Sequence, residues 1–260
     1  MKNPVVMITG ASAGIGATLA QTTGQRGARV VLLARRENEL NEVAARSGPD
    51  ALPIVADVTR RADFTRAVDA ALLRFGRIDV LVNNAGRGIT RNVSQLSDED
   101  FDDMMLVNVK SVLYGMQAVL PHFQAQKSGL IINVSSLLGR VPLAAFRSAY
   151  CAAKHAMNSL TANLRMELRA DYPDIHVCTV HPGVVATEFG LNAKHGGVDS
   201  RALPGAQSAQ EVADVIAGVI EAPRADVYTR QGAQQMVVDY YAAADMGDVE
   251  QKPPFMAARR

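Results

Sequence analysis

The sequence predicts an α/β fold with a single doubly wound parallel sheet of about seven strands, flanked by helices. Short runs rich in Val, Ile and Leu alternate with stretches of helical period along the whole chain. Such near-continuous apolar runs are typical of strands buried on both faces, and their alternation with helices predicts right-handed βαβ crossovers. No linker, repeat or low-complexity segment divides the sequence, so one domain over residues 1–260 is expected. The predicted strands cover residues 5–9, 29–34, 52–56, 80–83, 130–135, 175–180 and 226–229.

Two of the helices between these strands have clear boundary signals. Thr59 is expected to cap a helix whose apolar residues recur three and four positions apart, and Gly76 is expected to end it. Ser208 and Glu211 have the spacing of a capping box before a second amphipathic stretch. The least regular stretch is 188–207, and a loop of that length inside a compact domain predicts a lid over a substrate.

Composition excludes several classes of protein. The chain has 27 Lys and Arg against 26 Asp and Glu, a formal net charge of +1, so we expect neither a nucleic-acid nor a membrane partner. A chain of 260 residues can bury about three-quarters of its unfolded surface, so it needs no disulfide or metal. Only two cysteines are present, and the five histidines lack the spacing of a metal site. Because the start shows no signal peptide, a cytoplasmic protein is expected.

A glycine-rich turn, TGASAGIG at 9–16, follows the first strand and opens a helix. Glycine allows a sharp turn and a close approach of the backbone to a ligand. The N-terminus of the following helix offers N–H donors and a positive dipole end to a pyrophosphate. At the first strand–helix junction this pattern predicts dinucleotide binding, with a simple tight turn as the alternative.

The end of the second strand bears on which dinucleotide binds. The strand ends at Ala34 and is followed by Arg35 and Arg36, with Glu37 as the nearest acid. In a dinucleotide fold an acid here bonds the 2′-hydroxyl of NAD, whereas an arginine pairs with the 2′-phosphate of NADP. The sequence therefore favours NADP(H), with NAD(H) as the alternative; a solvated basic helix start would explain the same residues.

Tyr150 and Lys154 lie four residues apart, so on a helix they share a face. A nearby ammonium favours phenolate and should lower the pKa of the tyrosine from about 10. Such a phenol can donate a proton to a carbonyl oxygen or take one from an alcohol. Taken alone, the pair fits an ordinary helix surface equally well.

Other polar motifs follow the ends of further predicted strands. They are Ser135 and Ser136, the sequence NNAG at 83–86, and HPGVVAT at 181–187, while Asn108 lies in a helical stretch. Open α/β sheets bind ligands beyond the carboxyl ends of their strands, so these residues are expected to line one site.

In this ordered set of motifs the sequence resembles the short-chain dehydrogenase/reductase family, in its classical branch. The resemblance implies a Rossmann-like fold and four catalytic residues. Tyr150 would be the general acid and base, and Lys154 would lower its pKa and hold the nicotinamide ribose. Ser136 would orient the carbonyl, and Asn108 would hold a water in a proton relay. It implies further cofactor contacts by Gly10, Ser12, Gly14, Ile15, Gly16, Asp57, Val58, Asn84, Ala85, Gly86, Pro182, Gly183, Val185 and Thr187. Three departures are an extra residue between Ser136 and Tyr150, Ala13 where NADP-dependent relatives often have a basic residue, and the run 236–244 in place of the Gly-Gly finish common in acyl-carrier-protein ketoreductases.

The resemblance implies an NADP(H)-dependent oxidoreductase that interconverts a small-molecule carbonyl compound and an alcohol by hydride transfer, as a homodimer or homotetramer. The alternatives are a catalytically silent NADP-binding sensor or scaffold, and an epimerase or dehydratase that uses the same Tyr–Lys pair. Arg147 is a candidate for binding an acidic substrate group. His181 is expected to be an ordinary loop histidine, with contact to the substrate as the alternative.

Overall fold

The computed structural model describes residues 3–255, which contain one seven-stranded sheet. All strand pairs are parallel, and no boundary departs from its predicted position by more than one residue. The predicted fold class is therefore confirmed. The strands are β1 (Val5–Thr9), β2 (Arg29–Ala34), β3 (Ala51–Val55), β4 (Val80–Asn83), β5 (Gly129–Val134), β6 (Ile175–His181) and β7 (Asp226–Tyr228).

Helices connect the strands and cover both faces of the sheet. The predicted capping box at Ser208 and Glu211 is confirmed, with both reciprocal hydrogen bonds present. The α-helices are α1 (Gly14–Gln25), α2 (Glu37–Arg46), α3 (Arg61–Phe75), α4 (Asp98–Met105), α5 (Ser111–Gln126), α6 (Ser148–Leu168), α7 (Ala209–Glu221), α8 (Ala233–Ala242) and α9 (Met246–Glu250). A π-helical turn spans Leu106–Lys110, and 3-10 turns span Val93–Gln95, Leu137–Gly139 and Ser200–Ala202.

The start of α3 differs from the prediction. Arg60 is the N-cap residue, with extended backbone and no side-chain cap, so the expected role of Thr59 is wrong. The Thr59 hydroxyl and N–H instead donate to the Asp57 carboxylate at 2.8 and 2.9 Å, which forms a local turn before the helix. Gly76 ends the helix with φ +74°, as predicted.

The core has two parts because side chains of each strand alternate between the faces of the sheet. In β1, Val6 and Ile8 pack with α1, α2 and α7. Val5 and Met7 pack on the opposite face with α3, α5 and α6. Burial on both faces explains why these strands are apolar throughout.

The strand order places a ligand crevice beside β1. The order is β3-β2-β1-β4-β5-β6-β7, so the chain builds towards one edge from β1 and towards the other from β4. Such a switch point opens a crevice at the carboxyl ends of the two central strands. Gly10 follows β1 with φ +67°, and a Cβ atom there would lie 2.9 Å from the Cα atom of Ala85 after β4. The two turns therefore touch at the crevice.

A chain of buried amides ties the sheet to α6. The Asn83 amide donates to the Asn133 side-chain oxygen at 2.9 Å, and the Asn133 amide donates to the Thr161 hydroxyl at 2.9 Å. The Thr161 hydroxyl donates to the Met157 carbonyl at 2.8 Å. Because buried polar groups are costly to leave unpaired, this chain fixes α6 against β4 and β5.

Residues 188–207, called the long loop below, are attached to the segment that follows β4. The backbone N–H of Lys194 donates to the Gly88 carbonyl at 2.9 Å. The buried Asp100 carboxylate accepts from Lys194 at 3.0 Å and lies 2.8 Å from His195. These contacts hold the long loop near the carboxyl ends of the central strands.

Some features are missing from the part of the chain that the structure describes. No helix within residues 3–255 is long and apolar enough to cross a lipid bilayer. The same residues include no group of three His, Cys, Asp or Glu side chains that could hold a metal ion. Cys151 and Cys178 are both buried and unbridged.

Candidate active site

Tyr150 and Lys154 occupy the first two turns of α6 and are both buried, with 6% and 3% of their surface exposed. The Lys154 ammonium donates to the Val134 carbonyl at 2.9 Å. Its nitrogen lies 5.7 Å from the centroid of the Tyr150 ring. The predicted pairing on one helix face is therefore present.

The expected lowering of the Tyr150 pKa is not found in this structure. Burial raises the pKa above its ordinary value of 10, because phenolate is poorly stabilised away from water. Ser136 and Arg147 act in the opposite direction, but they do not outweigh the burial. Burial also lowers the pKa of Lys154 to about 8. Each group is thus shifted towards its neutral form.

Of the two serines after β5, Ser136 is the one whose side chain interacts with Tyr150. Ser136 caps the 3-10 turn after β5 by accepting from the Leu138 N–H at 3.1 Å. Its side chain also interacts with the Tyr150 hydroxyl and lowers the pKa of that group. Ser135 is buried on the strand side of the turn, and within residues 3–255 its hydroxyl has no hydrogen-bond partner.

Asn108 is fully buried in the π-helical turn between α4 and α5. Its amide donates to the Arg87 carbonyl at 3.0 Å, and its side-chain oxygen accepts from the Arg87 N–H at 3.2 Å. A Cβ atom on Gly86 would lie 3.0 Å from that oxygen and 3.6 Å from the Lys154 nitrogen. Asn108 and Lys154 therefore meet at Gly86. π-Helical turns often occur at functional sites, where they redirect a side chain.

The glycine turn forms a cradle at the N-terminus of α1. The N-cap residue is Ala13, which has extended backbone and supplies no side-chain acceptor to the first helical turn. The helix begins Gly14, Ile15, Gly16, and Gly14 has φ +54°. An uncapped helix start with glycines facing the crevice has the donors and the space that a pyrophosphate requires.

Thr9, which the sequence reasoning missed, joins the glycine turn to the NNAG motif. Its buried hydroxyl accepts from the backbone N–H groups of Asn84 and Ala85, each at 3.0 Å. The Asn84 amide in turn donates to the Thr9 carbonyl at 2.9 Å. A polar residue at the end of an otherwise apolar strand was the available signal.

The two arginines after β2 differ in their contacts. Arg36 reaches the glycine turn, where its Nε and Nη2 atoms donate to the Ser12 hydroxyl at 3.3 and 3.2 Å. It also pairs with Glu39 at 3.3 Å. Arg35 is exposed and makes no side-chain hydrogen bond or ion pair within residues 3–255. Of the two predicted arginines, Arg36 alone hydrogen-bonds to the glycine turn within the described residues.

The remaining predicted cofactor residues surround the crevice from two sides. Asp57 and Val58 are half-buried after β3. After β6, the Thr187 methyl carbon would lie 3.2 Å from a Cβ atom on Gly14, so this loop crosses the glycine turn. Val185 is buried and packs into the core below the loop. The loop also includes Pro182, which is buried, and Gly183, which is half-buried.

His181 is not an ordinary loop histidine, so that expectation is wrong. It ends β6, is fully buried and lies 3.0 Å from the Asp226 carboxylate through Nε2. Its Nδ1 atom lies 3.4 Å from the Ser136 carbonyl. Burial lowers the pKa of His181, and the hydrogen bond to His181 lowers the pKa of Asp226. His181 thus contacts the backbone carbonyl of Ser136 and helps to fix the position of that residue.

Comparisons with known proteins point to one family. A family model described as short chain dehydrogenase matches residues 4–196. An uncharacterized oxidoreductase of Staphylococcus saprophyticus is 39% identical over 190 residues, which cover 73% of this chain and 77% of the relative.

Solved structures agree over nearly the full length. A short chain dehydrogenase/reductase from Burkholderia phymatum in complex with NAD has a TM-score of 0.85 at 25% identity and covers 100% of this chain and 99% of its own. A short chain dehydrogenase from Burkholderia cenocepacia in complex with NADP has a TM-score of 0.81 at 28% identity, with 99% of each chain covered. Relatives of this fold thus bind either nicotinamide cofactor.

Proposed function

The chain belongs to the short chain dehydrogenase family and is an oxidoreductase; from that premise we propose that it interconverts a ketone or aldehyde and an alcohol with NADP(H), using Tyr150 as general acid and base. When bound, the nicotinamide supplies or accepts the hydride. The other half of the reaction is a proton transfer at the substrate oxygen. That transfer falls to side chains of this protein.

The observation that carries the proposal is a connected set of four buried polar side chains: Ser136 and Lys154 lie beside Tyr150, and Lys154 and Asn108 lie beside Gly86. Tyr150, Lys154, Ser136 and Asn108 each have no more than 9% of their surface exposed. Burying a lysine without a carboxylate opposes folding, so such a group needs a functional reason. A cofactor-binding sensor would have no use for this set, which supports catalysis over the scaffold alternative.

Tyr150 has the protonation state that carbonyl reduction requires. Since burial raises its pKa above 10, the phenol is protonated at neutral pH. A protonated phenol beside the Ser136 hydroxyl can donate to a carbonyl oxygen as that oxygen gains negative charge. In the opposite direction, the phenolate would take the proton of an alcohol.

Lys154 supplies the charge that stabilises phenolate after the proton has left. With a pKa of about 8, its amine is about nine-tenths protonated at pH 7. Its nitrogen is directed by the Val134 carbonyl towards Gly86 and Asn108. We infer that Asn108, which is immobilised by both backbone groups of Arg87, holds a water from which Lys154 and then Tyr150 regain a proton.

The cradle described above would hold the cofactor. The N-terminus of α1 would bind the pyrophosphate, the NNAG turn the adjoining ribose, Asp57 and Val58 the adenine, and the loop after β6 the nicotinamide carboxamide. Arg36 supports NADP(H), because it is held at the glycine turn while β2 ends at Ala34 rather than at an acid. Arg35 remains the second candidate for the 2′-phosphate, because its exposed guanidinium has no other partner within residues 3–255.

One domain would contain both the cofactor site and the catalytic site, and the long loop would act as its substrate lid. Phe189 of that loop supports this role, because its ring lies 5.5 Å from the Tyr150 ring, tilted by 59°. An aromatic ring at this distance can exclude water from the reacting oxygen.

The variant Tyr150→Phe tests the catalytic role of Tyr150. Tyr172→Phe is the matched control, because it removes a hydroxyl from a half-buried tyrosine just beyond α6. With a carbonyl panel and either cofactor, nicotinamide absorbance should show turnover reduced by roughly 10²–10⁴-fold in Tyr150→Phe alone. NADPH binding, followed by fluorescence, should be unchanged in both. Near-normal turnover by Tyr150→Phe would refute the role. A wild-type protein that binds NADPH yet converts no panel compound would favour the sensor or scaffold.

The variant Arg36→Ala tests the preference for NADP over NAD. Arg46→Ala is the control, because it removes the same charge from the exposed end of α2. Arg36 is half-exposed, so solvent weakens its attraction for a phosphate and we expect about a tenfold loss of NADP affinity. NAD affinity should not change. An equal effect on both cofactors would show that Arg36 acts only on the shape of the glycine turn.

A further inference from the structure

Arg147 lies at the edge of the proposed catalytic site, three residues before Tyr150. It is the N-cap residue of α6, and its backbone is fixed by a β-bridge to Arg91. Its side chain is half-buried. The Nη1 atom donates to the Ile89 carbonyl at 3.2 Å. The β-bridge therefore fixes the backbone of Arg147, and the hydrogen bond to Ile89 fixes its guanidinium.

Two glycines make room for this guanidinium between the long loop and the segment after β4. A Cβ atom on Gly88 would lie 3.0 Å from Nη1, and one on Gly197 would lie 3.3 Å from Nη2. The Phe189 ring also lies 3.0 Å from the Cβ position of Gly88 and contacts the Tyr150 ring. Phe189 thus lies beside both the Tyr150 ring and the Arg147 guanidinium.

The charge of Arg147 is uncompensated. Within residues 3–255, no carboxylate lies within 4.0 Å of it, and its Nε and Nη2 atoms have no hydrogen-bond partner. Its contacts are the Ile89 carbonyl and the face of the Phe146 ring, 5.4 Å away. The ionisable groups that act on it are Tyr150 and Cys151, whose pKa values are both raised by burial, so both are neutral. A half-buried cation with open donors is a site prepared for an anion.

We propose that Arg147 binds a carboxylate of the substrate, so that the substrates are oxo acids and the corresponding hydroxy acids. The planar guanidinium fork matches a carboxylate in shape and charge. One cation suits a singly charged group better than a phosphate dianion, because the nearby Lys194 is already paired with Asp100. The inference rests on the proposed carbonyl–alcohol function.

The kinetic test compares oxo acids with their methyl esters, which have the same skeleton and reacting carbonyl. The wild-type enzyme should prefer the acids by at least tenfold in kcat/KM. Arg147→Gln should lower kcat/KM for the acids by roughly 10–100-fold through KM, and any loss for the esters should be at least tenfold smaller. Arg169→Gln, which removes the same charge from the exposed end of α6, should change neither. Equal losses on acids and esters would overturn the proposal.

A binding test separates this inference from the proposed function. The NADP-loaded protein is heated with simple carboxylates or with the matching primary amides. Carboxylates should raise the unfolding midpoint by about 2 °C or more and amides should not, an effect that Arg147→Gln abolishes. Arg147→Lys should bind more weakly than wild type, because it retains charge without the fork. If no carboxylate binds better than its amide, the role of Arg147 in carboxylate binding is refuted, even if the enzyme reduces neutral ketones. If no compound is turned over, the proposed oxidoreductase function is refuted, whatever the binding test shows.

Discussion

Gly16→Ala tests whether the glycine turn is shaped by close contact. Gly16 does not have positive φ, so conformational freedom does not require glycine there. Space does, because a Cβ atom would lie 2.6 Å from the Asn84 amide nitrogen and closer still to the Gly10 carbonyl oxygen. The Asn84 amide would have to retreat by about 0.8 Å to reach ordinary contact at 3.4 Å. It cannot do so freely, since it donates to the Thr9 carbonyl.

The magnitude follows from two opposing effects. Alanine is favoured over glycine within a helix by about 1 kcal/mol, while overpacking costs about 1–3 kcal/mol. Gly218 in α7 supplies the matched control, because within residues 3–255 no atom beyond its chain neighbours and own helix backbone lies within 4 Å of the Cβ position. Gly218→Ala should therefore raise the unfolding midpoint by about 2 °C. Gly16→Ala should lower it by up to about 4 °C and weaken NADPH binding at least tenfold, because the first-turn N–H groups move.

Thermal unfolding followed by circular dichroism and NADPH fluorescence titration measure these effects side by side. If Gly16→Ala stabilises the protein as much as Gly218→Ala does and retains its NADPH affinity, the reasoning about the cradle is refuted. A loss of stability with unchanged NADPH affinity would show that the turn is tightly packed but does not bind the cofactor.

Three further predictions concern other parts of the fold. Ser208→Ala should lower the unfolding midpoint by about 2 °C, because α7 loses its capping box; no change would contradict this. Burial lowers the pKa of His181, so the free energy of unfolding should fall as pH decreases below about 6.5, where only the unfolded imidazole takes up a proton. His181→Gln should flatten that dependence in urea titrations at pH 5–7. Asp100→Asn should accelerate proteolysis of the long loop, because Lys194 and His195 lose their shared carboxylate; an unchanged rate would refute the anchoring role.

The strands are predictable to within one residue because each is an apolar run bounded by polar residues or glycine. Helix starts are less predictable, because neighbouring side chains compete for the same backbone groups. Ser208 caps α7 since Glu211 returns its hydrogen bond, whereas the hydroxyl of Thr59 is already bound by Asp57. Both residues are of a type that caps helices, but Ser208 alone has a glutamate three residues later; the corresponding residue after Thr59 is Ala62.

The composition of the site is predictable because the carboxyl ends of parallel strands meet at one edge of the sheet. The electrostatics are not, because they depend on burial. Spacing places Lys154 beside Tyr150, but the enclosure of both groups reverses the expected shift of the Tyr150 pKa. His181 likewise has the sequence context of a loop residue and becomes a buried partner of Asp226 through the register of β6 and β7.

The near balance of 27 basic and 26 acidic side chains conceals two local cations that differ in kind. Arg36 is half-exposed and shares its charge with Glu39, so water and salt weaken its hold on an anion. Arg147 lies against a carbonyl group and aromatic rings, where Coulomb attraction is stronger because less water screens it. Net charge therefore gives no information about the binding of small anions. That binding depends on which arginine is half-buried without a carboxylate, and that follows from the fold around it.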